Sequence, residues 1–169
     1  LIATRYRKLG QACTAVPLPG PAYRTNPLPL SHLVLATPVI DPGPAIDAHL
    51  DAITRALGDG ARVSILLTHA HPDHDDAIPP LRGRLHAKLV GHAWGTRDGD
   101  TVETDAGLLT AVFTPGHTPD HMSYWWAAER TVFCGDLMMG GIDTALVAPP
   151  EGNLTQYLAS LSKVESLSP

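Results

Sequence analysis

Cysteine is scarce in this chain, and so are long apolar runs and positive charge. Two cysteines among 169 residues, Cys13 and Cys134, cannot make a disulfide framework, so a reducing, cytoplasmic setting is the expectation. No apolar stretch approaches the roughly 18 residues of a membrane helix. The start lacks the charged-then-apolar pattern of a secretory signal. Lys and Arg number 12 against 17 Asp and Glu, a net charge of −5. Such a balance provides no basic field for a phosphate backbone, which disfavours nucleic acid as a partner. Internal repeats and low-complexity linkers are absent too. What is left is globular: 44% hydrophobic and 17% charged residues, enough for the core of one domain spanning 1–169.

Histidine is where the composition departs from the ordinary. The chain carries nine, and several fall in two tight groups. His69, His71, Asp73 and His74 lie in T-H-A-H-P-D-H-D-D, at the end of the unbroken apolar run Val63 to Leu67. That run predicts a buried central strand, which delivers the cluster at a strand's C-terminal end, a common place for sites in α/β folds. On extended backbone, alternate side chains share a face, so His69, His71 and Asp73 are expected to converge while His74 turns towards a second position. Imidazole and carboxylate donors at this spacing suit zinc, and also iron or manganese. Chance produces this pattern in about one chain in a thousand of such composition.

The rest of the chain supplies a frame. Pro17, Pro19, Pro21, Pro27 and Pro29 make residues 1 to 30 a loop-dominated lead-in. Leu33 to Ile40 predicts a strand ending at Asp41-Pro42-Gly43-Pro44. Ile46, Leu50, Ile53 and Leu57 recur at helical spacing before Gly58, with His49 on the polar side. Asp75 to Arg84 suggests a short helix interrupted by Pro79 and Pro80. Leu108 to Phe113 predicts a strand running into T-P-G-H-T-P-D-H, which contains His117 and His121. Met122 to Trp126 and Thr131 to Cys134 predict a hairpin that ends at Gly135-Asp136. Asn153 and Gln156 read as a capping box opening a helix whose buried stripe is Leu154, Tyr157, Leu158, Leu161 and Val164. His121 reads as structural more readily than functional, Met138 and Met139 as core filling, and Cys134 as buried and inert.

The order of these groups resembles the metallo-β-lactamase-fold superfamily over residues 33 to 169: a histidine cluster, then Gly-His at a strand end, then Gly-Asp at the next. The resemblance implies an α/β fold arranged as a four-layered αβ/βα sandwich. It implies two metal ions, with His69, His71 and His117 as ligands of the first, Asp73 and His74 as ligands of the second, and Asp136 as the carboxylate bridging both. Asp41 resembles the superfamily's outer carboxylate near the site. A final histidine that the superfamily supplies after the last helix has no counterpart before Pro169, so a chain lacking its C-terminal part is the expectation.

Within the superfamily, P-P-E-G-N followed by Y-L-A-S-L resembles hydroxyacylglutathione-hydrolase-like and endoribonuclease-like proteins. The implied activity is hydrolysis of a thioester, ester or related small molecule by a hydroxide activated between two zinc ions. Asp73 then both ligates and orients the nucleophile. The competing expectations are an iron oxidoreductase similar to persulfide dioxygenases and a metal-dependent nuclease.

Overall fold

A computed structural model describes residues 2–3, 36–139 and 145–169 of the chain. The expected lead-in over residues 1 to 30 and the first part of the 33–40 strand lie outside these residues, apart from a two-residue strand, β1 (Ile2–Ala3). The expected strand is β2 (Thr37–Ile40), and helix α1 (Asp47–Leu57) follows it. Next come β3 (Arg62–Leu66), the short helices α2 (Pro72–Asp75) and α3 (Ile78–Arg84), and β4 (His86–Val90). Four strands, β5 (Thr101–Thr104), β6 (Gly107–Phe113), β7 (Met122–Trp126) and β8 (Thr131–Phe133), precede the final helix α4 (Leu154–Ser166).

The strands form two sheets. β1-β2-β3-β4 is parallel, and β5-β6-β7-β8 is an antiparallel meander. Side-chain alternation in the parallel sheet explains the layering. Val39, Val63, Ile65 and Leu67 face outward against Leu50 and Ile53 of α1 and Ile78 and Leu81 of α3. Ile40, Leu66 and Val90 face inward and meet Val102, Leu109, Ala111, Met122, Tyr124 and Trp126 of the meander. A sheet buried on both faces needs a near-continuous apolar run, and Val63 to Leu67 provides it with the small Ser64 as its one polar residue. The Tyr124 hydroxyl, fully buried, donates to the carbonyls of Leu67 (2.8 Å) and Val90 (3.3 Å) and stitches the sheets together. Helix α4 makes the fourth layer. Ser160 donates to the Pro115 carbonyl, Lys163 to the Phe113 carbonyl, and the Arg130 guanidinium to the Ser168 carbonyl.

Several local expectations change. Pro79 and Pro80 do not break the helix; they occupy the first turn of α3, where a missing N–H costs nothing. His49 is buried rather than solvent-facing, and its Nε2 donates to the Pro42 carbonyl. Leu154 and Leu158 are 63% and 54% exposed, so the buried stripe of α4 runs through Ser160 and Val164 instead, with Tyr157 and Leu161 half-buried. Met138 and Met139 are likewise exposed, not core filling. Cys134 is only half-buried, although burial pushes its thiol pKa up. No helix among the described residues is long and apolar enough to cross a membrane.

Candidate metal centre

The C-terminal ends of β2 and β3 open onto the site. Asp41 follows β2 with φ of 47°, a left-handed conformation uncommon outside glycine. That turn aims its buried carboxylate at the loop after β3. One Asp41 oxygen accepts from the Thr68 backbone N–H at 2.7 Å, and the other accepts from the Thr68 hydroxyl at 2.7 Å. The second oxygen also lies 3.0 Å from His74 Nδ1. The first histidine loop is thereby pinned to the neighbouring strand.

His69 and His71 leave β3 on extended backbone, but Pro72 starts α2 and the alternation stops there. Asp73 and His74 therefore sit on a helical turn. His69, His71 and Asp73 do not converge as simple strand alternation predicts. His117 comes instead from the loop between β6 and β7 and joins His69 and His71. The nearest ring nitrogens of these three all lie within 4.8 Å of one another. His69 Nε2 is 2.9 Å from His71 Nδ1, and His117 Nε2 is 3.2 Å from the same atom. A tetrahedral ion with Zn–N bonds of about 2.0–2.1 Å separates its ligands by about 3.4 Å. The group is thus close to the size a zinc ion demands.

A second group is His69, His74 and Asp136. Asp136 Oδ1 is 3.3 Å from His74 Nε2, and Oδ2 is 3.6 Å from His117 Nε2. One carboxylate therefore faces both groups. Asp73 lies further out, with Oδ2 at 3.7 Å from His74 Nε2 and a side chain 57% exposed.

Hydrogen bonds decide which nitrogen of each ring carries the proton. His117 Nδ1–H donates to the Leu146 carbonyl at 2.7 Å, and His71 Nε2–H to Glu151 at 3.1 Å. His74 Nδ1–H faces Asp41. Since the Thr68 hydroxyl gives its hydrogen to Asp41, its oxygen accepts from His69 Nδ1–H at 3.0 Å. Each ring is thus anchored through the nitrogen that points away, and the other four nitrogens, His69 Nε2, His71 Nδ1, His74 Nε2 and His117 Nε2, turn inward, where each offers a lone pair once its ring is neutral. Imidazoles that bind metal are held in this way, with the second nitrogen donating to a carboxylate, hydroxyl or carbonyl. The donor set fits a pair of cations.

The electrostatics agree. Burial, reinforced by the charge of His74, pushes the His69 pKa down to about 2, so this ring stays neutral. Burial also works against a charge on His74, but the carboxylates of Asp136 and Asp41 outweigh it and raise its pKa to about 10. Burial likewise opposes the Asp136 charge, yet the His74 hydrogen bond and charge prevail and hold it ionised down to about 2. A proton on His74 facing Asp136 fills the place that suits a cation. His121 is fully buried behind the group, with its ring centroid 5.2 Å from that of His69 and Nδ1 against the Thr114 hydroxyl. It packs against the centre and belongs to neither group.

Sequence reading passed over three contributors. Thr68, Glu151 and the Leu146 carbonyl each orient a histidine. The hydroxyl beside His69 was the one available signal. Glu151 is 80 positions from its partner, and a backbone carbonyl leaves no trace in a sequence. Gly116 and Gly135, beside His117 and Asp136, are held by close packing. An added Cβ at Gly135 would lie 2.8 Å from Thr68 Cβ and 2.9 Å from His121 Nε2, so only glycine fits there.

Comparison with known proteins finds similarity over part of the chain. The family model of the metallo-β-lactamase superfamily matches residues 94–169. Hydroxyacylglutathione hydrolase of Methylobacterium nodulans is 34% identical over 144 residues, covering 75% of this chain and 56% of that protein. An atrochrysone carboxyl ACP thioesterase of Aspergillus fumigatus is 33% identical over 115 residues, covering 62% of this chain and 35% of that one. The chain thus spans about half or less of the length of these relatives. Among solved structures, TTHA1623 in a di-iron-bound form superposes with a TM-score of 0.61 at 27% identity, covering 76% of this chain and 75% of that one.

Proposed function

Because the chain has the metallo-β-lactamase fold, we propose that it is a metal-dependent hydrolase with two ions in its centre, acting on a thioester or related acyl ester. The observation that carries this is the inward set of four imidazole nitrogens gathered around the ionised carboxylate of Asp136. His69, His71 and His117 would hold the first ion, and His74 with Asp73 the second, with Asp136 between them. Ions held there supply Lewis acidity and a water whose pKa is lowered towards about 7.

The chain's own residues do the rest. Asp136 stays charged, and its two oxygens face one ring of each group, His74 at 3.3 Å and His117 at 3.6 Å. Asp73 is more exposed than Asp136 and Asp41, so it can reach both the second ion and an entering nucleophile. Thr68, Asp41 and the Leu146 carbonyl fix ring orientations before substrate arrives, and preorganisation of this kind lowers the barrier. Met138 and Met139 follow Asp136 closely, and Leu146 holds His117. All three expose apolar side chains on segments adjoining the centre, which would suit an acyl group. The names of both relatives, a hydroxyacylglutathione hydrolase and a thioesterase, support acyl cleavage.

A panel of chromogenic thioester, lactone, β-lactam and phosphodiester substrates tests this. Thioester turnover that vanishes with a chelator and in His69→Ala is expected. Preferential phosphodiester cleavage would contradict it. Iron is favoured over zinc by one observation, the di-iron form of TTHA1623, and elemental analysis of the purified chain decides between them. Tightly held iron with sulfur-dependent oxygen uptake and no acyl hydrolysis would support an oxidoreductase instead.

A further inference from the structure

The imidazoles of the centre are not equally supported. The side chains of His74 and His117 are 6% exposed and locked by packing, whereas that of His71 is 32% exposed. Packing alone therefore leaves His71 free to rotate or to exchange tautomers. Its lone-pair atom is Nδ1, the reverse of its neighbours, so it is useful only while the proton stays on Nε2. The group that faces Nε2 is the Glu151 carboxylate.

Glu151 does not dangle. The backbone on its C-terminal side is folded back, with Gly152 N–H donating to the Ala148 carbonyl at 2.8 Å. An added Cβ at Gly152 would lie 2.8 Å from Ala148 O, so the bend accepts only glycine. Asn153 N–H then donates to the Gly116 carbonyl at 2.8 Å, directly beside His117. The Asn153 side chain caps α4 by accepting from Gln156 N–H. Six residues upstream of the bend, the Leu146 carbonyl holds His117 Nδ1. Segment 145–153 therefore touches two rings of the same three-histidine group and is tied back to the loop that bears one of them.

We propose that Glu151 is a positioning residue for the first metal ion, and that segment 145–153 is a strap whose grip on His71 and His117 sets the affinity of that ion. The proposal rests on the metal centre described above. Glu151 is 59% exposed, so its charge as such contributes little. Its effect comes from fixing the Nε2–H tautomer, and outer hydrogen bonds of this kind change metal affinity by about 10–100-fold. A glutamine keeps an accepting oxygen and restores most of the effect, while an alanine does not.

The test titrates the full chain with zinc in competition with a chromogenic chelator, for wild type, Glu151→Ala and Glu151→Gln. Ring nitrogen–proton correlation spectra of the zinc-loaded proteins are recorded alongside. The expected result is a first-ion affinity weakened about 10-fold or more in Glu151→Ala, with His71 losing its single Nε2–H tautomer, and both largely recovered in Glu151→Gln. Unchanged affinity in Glu151→Ala overturns the proposal. So does a loss that Glu151→Gln fails to repair while the His71 tautomer stays intact, since that pattern is generic destabilisation. Wild type that takes up no metal refutes the centre itself, and the strap with it.

Discussion

Replacing Gly116 with alanine should damage the fold and the metal centre together. Gly116 has φ of +137°, a conformation that L side chains rarely adopt. An added Cβ would lie 2.6 Å from Tyr157 Cβ and closer still to the Tyr157 backbone. Carbon atoms pack at about 3.5–4.0 Å, so α4 must withdraw by about 1 Å or more. Overpacking of this type costs about 1–3 kcal/mol. Holding a non-glycine residue in a sparsely populated conformation costs about 1–3 kcal/mol more. The sum, about 2–6 kcal/mol, is a large part of the roughly 5–15 kcal/mol that stabilises a domain. With a urea slope of about 2 kcal/mol per molar, the midpoint should fall by about 1–3 M. Withdrawal of α4 also drags Asn153 off the Gly116 carbonyl and loosens the strap on His117, so zinc affinity should drop too. Gly58→Ala is the control, because φ there is +77° but nothing lies within 4 Å of the added Cβ. It should cost about 1–3 kcal/mol from backbone strain alone and leave the metal in place. A Gly116→Ala protein with wild-type midpoint and zinc affinity would refute the reasoning.

Other perturbations separate the outer supports from the centre. Asp41→Asn removes the charge that orients Thr68 and His74, and should weaken the second ion by about 10–100-fold in a chelator competition while the first is held. Tyr124→Phe leaves the Leu67 and Val90 carbonyls without their hydroxyl donor and should cost about 1–3 kcal/mol in urea denaturation, with metal content unchanged. The metal-free chain should be most stable near pH 6.5. The folded pKa of His74, about 10, exceeds its ordinary 6.5, so its contribution is lost as pH rises through that interval. The folded pKa of His69, about 2, lies below 6.5, so stability is lost as pH falls. A flat denaturation midpoint between pH 6.5 and 10 would contradict this.

Much of the architecture could be read from short-range signals. Val63 to Leu67 announced a central strand because a sheet buried on both faces needs an almost continuous apolar run, and Arg130, with φ of 49°, closes the hairpin at the quartet Ala127 to Arg130 that suggested it. Strands β4 and β5 were missed. β4 carries His86 and Lys88 on an open face, and β5 is a four-residue strand with only Val102 in the core. The stripe of α4 was misplaced because leucines occur on more than one side of that helix, and periodicity alone does not say which side meets the meander. At the centre, the histidines stood out by residue type and spacing, and Asp136 only by its place in the order of the motifs. Their supports did not, since a carboxylate such as Glu151 acquires meaning only when folding carries it across the chain to His71.

The claim beneath all of this is that His69, His71, His74, His117 and Asp136 jointly trap two cations. Native mass spectrometry of the zinc-equilibrated chain measures it directly, with His69→Ala beside it because His69 contributes to both groups. Two ions on the wild type and a loss of both from His69→Ala is the predicted result. A wild type without bound ions, or a variant that carries as many as the wild type, would contradict it.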